Sequence, residues 1–141
     1  MASILELKRK IESLDIIQVS VDAITKTDAI AADLQVKQQL NGVDAKGQRM
    51  PNYSPISVEL YGKPDGPIIL KDTGSFQRKI TVKALGDKIV FSSSDDKTQM
   101  LEERYGKKGF SILGLNSDTK KEWKEDLQPN LIDIVKKKTG L

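Results

Sequence analysis

The chain has 141 residues and a mass of 15.7 kDa, enough for one domain whose core needs no metal or disulfide staple. Hydrophobic residues make up 38% and charged residues 30%, with a net charge of +3. That balance excludes wholesale disorder and is too mild, taken alone, to argue for nucleic acid. There is no cysteine and no histidine, which excludes disulfides, thiolate metal sites and thiol nucleophiles, and removes the usual general base near neutral pH.

The N-terminal MASILELKRK lacks the apolar core of a signal peptide. No apolar run approaches the ~20 residues that span a bilayer. The expectation is a protein that is made in and stays in a cytoplasm, with no membrane contact, no cofactor and no metal.

Ser3 to Leu14 reads as a first helix. Ile4, Leu7, Ile11 and Leu14 recur at helical spacing, and Ser3 with Glu6 fits a capping box. A second helix is predicted from about Asp15 to Leu40. Its apolar residues, among them Val21, Ala23, Ile24, Ile30, Ala31 and Leu34, cover roughly half the circumference. Such a width suits either a well-buried core helix or one shared between its own core and a neighbouring subunit.

Residues 41–67 are rich in Gly, Pro, Asn and Asp at turn positions. The segment reads as an arm, ordered on a neighbouring copy, or as a patchwork of short turns and strands. Within it Ile56 to Leu60 alternates and predicts an edge strand. Ile68 to Leu70 predicts a short strand start. Thr73 is placed to cap a single helical turn, and Gly74 to supply a positive φ.

Lys79 to Leu85 and Lys88 to Ser93 predict a hairpin around Gly86-Asp87, with Ile80, Val82 and Ala84 on one face and Val90 opposite Ile89 and Phe91. Asp96 to Tyr105 predicts a short helix, and GKKGFSILGLN a glycine-bounded apolar segment. A last helix, capped by Ser117 or Asp118, runs to about Lys138 on a stripe of Trp123, Leu127, Leu131 and Ile134. Pro129 is expected to kink it or start a second piece. The fold class is α+β: N-terminal helices over 1–40, a long loop over 41–67, and a small antiparallel sheet with a C-terminal helix over 68–141.

Several short patterns bear on chemistry. Gly106 to Gly109 lacks the spacing and the Lys-Ser/Thr of a phosphate-binding loop and reads as a turn. Ser92 to Asp96 reads as a strand end plus a helix cap, and Asp44 to Gln48 lacks the alternating acids of a calcium loop. Asp72-Thr73-Gly74 matches the tripeptide of aspartic proteases. Those enzymes need two facing aspartates, and the tripeptide occurs once here. Lys136 to Lys138 forms a basic helix end that suits the helix dipole and offers non-specific attraction to phosphates. No catalytic residue is assigned.

The order of the pieces from residue 38 onward carries a resemblance. They are QQLNGVDAKGQRMPNYSP, then IILKDTGSFQRKITVKALGDKIVFSSSD, then LEERYGKKGFSILGLNSDTKKEW. This pattern resembles the virion morphogenesis, or tail-completion, proteins of tailed bacteriophages. The matching positions are Leu70, Thr73, Gly74 and Phe76, then Tyr105 and Gly106, then Leu113, Gly114 and Leu115. The chain departs from many members in having Arg104-Tyr105-Gly106 where they carry His-x-x-Gly, and Gly109-Phe110-Ser111 where they carry an Arg-Pro pair. The resemblance implies a structural, non-enzymatic role in the virion neck or tail, as a tail-completion, terminator or head–tail connector subunit. It implies a homo-oligomeric ring, hexamer or dodecamer, with neck, portal-adaptor or tail proteins as partners and assembly in the host bacterial cytoplasm. The alternative is a nucleic-acid-associated protein of a phage or mobile element that uses the basic C-terminal helix.

Overall fold

In the computed structural model, which describes residues 3–140, Ser3 and Glu6 close the capping box that their spacing predicts. The Ser3 hydroxyl accepts from the Glu6 N–H at 3.2 Å and the Glu6 carboxylate accepts from the Ser3 N–H at 3.3 Å. They start α1 (Ile4–Glu12). This helix buries none of its residues, and Ile4 is 86% exposed. Asp15 then caps α2 (Ile16–Leu40) by accepting from the Gln18 N–H at 3.0 Å.

Helix α2 is the spine of the molecule. Its buried residues run from Val19 and Ala23 through Thr27 and Ala31 to Gln35 and Gln39, a stripe at helical spacing. The wide apolar arc has two tenants within the chain. On one side α6 (Ser117–Thr139) brings Trp123 and Ile134; on the other β1 (Ile80–Leu85) brings Val82. The core-helix reading therefore holds over most of the arc. Ile16 and Ile17 in the first turn, Ile30 at mid-helix and Leu40 at the end keep their apolar groups in solvent.

Strands β1 and β2 (Lys88–Ser93) pair antiparallel, with Leu85 opposite Lys88 and Ile80 opposite Ser93. Gly86 takes φ +63° and Asp87 stays out of the left-handed region, which selects the II′ turn over I′. Ile80 and Val82 are buried as the alternation predicts. Phe91 meets Trp123 edge to face, with ring centroids 6.3 Å apart.

Three expectations are corrected, and over residues 41–67 the patchwork of turns is found in place of the arm. Ile56 to Leu60 is not a strand but part of α3 (Pro55–Tyr61). Ser54 caps it, Pro55 supplies a ready-made first-turn φ, and Gly62 ends it at φ +64°, so helix punctuation outweighs the alternation. Residues 41–67 do not extend as an arm at their start. They form turns joined by two isolated bridges, Val43 to Arg49 and Asn52 to Pro67, and bury Asp44 and Met50 in the chain's own core. Ile68 to Leu70 forms no strand. The Ile69 N–H goes to the Tyr53 hydroxyl at 3.2 Å, its carbonyl to Gln77, and Leu70 turns into the left-handed region at φ +57°. Helix α6 is capped by Asn116, one residue earlier than expected, and continues as one helix through Pro129. Two short helices complete the fold: α4 (Ser75–Arg78) and α5 (Thr98–Gly106).

Candidate interaction cleft

The Thr73-Gly74 turn is built from its own backbone needs. Gly74 sits at φ +86° as the N-cap of α4, and the Thr73 hydroxyl accepts from the Ser75 N–H at 3.3 Å. The Arg78 guanidinium donates to the Thr73 carbonyl at 3.1 Å. Helix α4 then drives Phe76 into a cluster with Met50, Ile80, Tyr105 and Ile112. The end of β2 holds the turn from the other side. Ser93 Oγ donates to the Phe76 carbonyl at 2.8 Å, and Ser75 Oγ donates to Asp95 at 2.6 Å. The Ser75 hydroxyl, with the Lys97 N–H, holds the Asp95 carboxyl below its ordinary range.

The Leu113-Gly114-Leu115 segment is held by three amides of α2. Gln39 Nε2 donates to the Ile112 carbonyl at 3.0 Å, and Gln35 Oε1 accepts from the Gly114 N–H at 2.6 Å. Gln38 Nε2 donates to the Gly114 carbonyl at 2.9 Å, while its Oε1 accepts from the Asn116 N–H at 2.9 Å and from the Thr119 hydroxyl at 2.6 Å. Backbone that would otherwise need a strand partner is thus satisfied by side chains.

Eight of the nine positions that carry the resemblance do structural work. Phe76 and Tyr105, with Leu70 and Leu113 packed against them, meet in one cluster, and Leu115 joins a second core cluster with Trp123. Thr73 and Gly74 make the turn, and Gly114 takes φ +115° in the clamped segment. Gly106 ends α5 with open space around it.

Between α3, the turn over residues 68–75 and α5 lies an open cleft of about 920 Å³. All three tyrosines of the chain, Tyr53, Tyr61 and Tyr105, line it. Burial pushes the Tyr105 phenol above its ordinary range. Lys63 Nζ lies 5.8 Å from the Tyr53 ring centre and Lys108 Nζ 5.9 Å from that of Tyr105. Lys71, Lys79, Lys97 and Arg104 add four further cations, against Asp72, Asp95 and Asp96.

Asp72 is exposed and sits between Lys97 at 3.1 Å and Lys63 at 3.5 Å. The hydrogen bond from Lys97, then the charge of Lys63, hold its carboxyl below the ordinary range. This is the reverse of a carboxylate pair that shares a proton. Among the described residues, no group of three or more His, Cys, Asp or Glu is placed to hold a metal ion, and no helix is long and apolar enough to cross a membrane. The cleft residues are scattered from position 52 to 108, so no short pattern announces them. The clamp does have a trace in the sequence, since Gln35, Gln38 and Gln39 fall on the spacing of the buried stripe. The chain matches no protein-family model, no curated protein and no solved structure.

Proposed function

We propose that the chain is a structural virion protein of a tailed bacteriophage, acting at the head–tail junction as a tail-completion, terminator or neck ring subunit. The observation that carries this reading is the apolar surface left on two short helices. On α1, Ile4, Leu5 and Ile11 face solvent, and on α3, Ile56, Leu60 and Tyr61 do, each between 48% and 86% exposed. Scattered exposed leucines are ordinary, but runs of them on single helices mark contact surfaces. Two different patches on one chain suit a head-to-tail interface, which closes into a ring when its rotation divides a full turn. A ring of six or twelve copies, each interface burying more than about 1,000 Å², is the expected assembly. The order of the family-like pieces in the sequence supports the same reading.

Neck, portal-adaptor or tail proteins encoded beside the chain are the proposed partners, and the virion is the proposed location. The test combines light scattering with electron microscopy of the purified chain, alone and mixed with those neighbours. Rings or neck-bound particles are expected, and Leu60→Lys should abolish them while leaving the circular dichroism spectrum unchanged. A strict monomer that binds none of the neighbouring proteins overturns the proposal.

A further inference from the structure

We propose that the cleft between α3 and α5 binds single-stranded nucleic acid. The inference rests on the cleft, whose wall shares Tyr61 with the exposed face of α3, and its test is run on the purified chain without neck or tail partners. Its first support is charge that the fold leaves unspent. Asp72 engages Lys63 and Lys97, and Asp95 engages Lys79 at 3.8 Å. Among the described residues, Lys71, Arg104 and Lys108 have no carboxylate partner and line the cleft, against one unpaired acid there, Asp96. The basic end of α6 is different. Lys137 is held by Asp133 at 3.0 Å and Lys138 by Asp22 at 3.8 Å, so two of its three lysines already face an acid.

The second support is aromatic. Tyr61, the last residue of α3, is 73% exposed at the cleft wall, and Tyr53 lines the same cleft half-buried. An exposed ring and unpaired cations lining one cleft are the composition that holds a single strand: bases stack on the ring while phosphates meet the cations. Asn52, Ser54 and Ser57 add neutral hydrogen-bonding groups along the same wall. An acidic peptide would use the cations but would leave Tyr61 without a role. A duplex is read by an element that projects into its groove, whereas this surface is concave.

The experiment is fluorescence anisotropy of a labelled oligothymidylate of about ten nucleotides, titrated with the whole protein between about 50 and 200 mM salt. A parallel series uses oligouridylate, and either strand binding supports the proposal. With three phosphates neutralised, the logarithm of affinity should fall with that of salt at a slope of about −2. Lys71→Ala with Lys108→Ala should bring the slope to about −0.7. Tyr61→Ala should weaken binding about tenfold, and Tyr61→Phe, which keeps the ring, should restore it. Lys137→Ala with Lys138→Ala should leave affinity unchanged. Absence of binding at the lowest salt overturns the inference, as does affinity that follows the C-terminal lysines. Displacement by oligoglutamate combined with indifference to Tyr61→Ala would assign the cleft to an acidic peptide and would equally overturn it.

Discussion

Gln38 and Gly114 stand 76 residues apart in the chain, yet the Gln38 amide donates to the Gly114 carbonyl at 2.9 Å and so ties α2 to the segment that opens α6. The same amide accepts from the Asn116 N–H and the Thr119 hydroxyl, so one side chain replaces a strand edge. Gln35 is less complete: its oxygen takes the Gly114 N–H, but its Nε2 is buried without a partner.

That difference sets the first prediction. Gln38→Leu leaves the Gly114 carbonyl and the Asn116 N–H without their partner and should cost about 3 kcal/mol. Gln35→Leu orphans the Gly114 N–H but also removes an unpaired amide, and should cost about 1 kcal/mol. Urea unfolding followed by the fluorescence of Trp123, the single tryptophan, measures both. Equal losses would mean that the unpaired Nε2 carries no penalty.

The second prediction concerns the Thr-Gly turn. Gly74 adopts φ +86°, and a Cβ there would lie 2.8 Å from Arg78 Nη1. Gly74→Val should cost about 2 kcal/mol, from left-handed strain on a branched residue and from displacement of the Arg78 bond to Thr73. Asp72 is exposed in water, so Asp72→Asn should leave the melting temperature close to that of the parent. Equal melting temperatures for the two variants would contradict the assignment of the turn.

Pro129 lies exposed inside α6, where it removes one backbone donor and crowds the preceding turn. Pro129→Ala should therefore stabilise the protein, by about 1–3 kcal/mol after allowing for the freer unfolded chain. A lower denaturation midpoint would show that α6 depends on the proline for its packing.

The fourth prediction is a pH dependence. The Asp95 side chain is 10% exposed, and the Ser75 hydroxyl and the Lys97 N–H hold its folded-state value below the ordinary 3.8. A depressed carboxylate contributes stability that is fully present above its unfolded value and is lost as pH falls through its folded value. Melting temperature should be flat from about pH 6 to 5 and should drop below about pH 4. Asp95→Asn should melt lower than the parent at about pH 6 and converge with it in acid. A constant gap between the two at every pH would remove Asp95 from the acid response.

How much was legible differs from element to element. The capping box at Ser3 and Glu6, the Gly86-Asp87 hairpin and the long apolar face of α2 were all readable. Each rests on interactions within a few residues, whose spacing is written directly in the chain. Ile56 to Leu60 misled because the alternation of a short run is a weaker signal than Ser-Pro before it and Gly after it.

The amino-acid order by itself determined the α+β class, the hairpin register and the inward faces of α2 and β1, because propensity, periodicity and turn chemistry act locally. Only the tertiary structure decided that four glutamines would be buried, three of them on α2, that Leu70 would turn left-handed, and that tyrosines from positions 53 to 105 would share one cleft. A polar amide can be buried only where distant backbone meets its hydrogen-bonding atoms, and a cleft exists only once separate elements have packed, so neither is encoded in any short stretch of the chain.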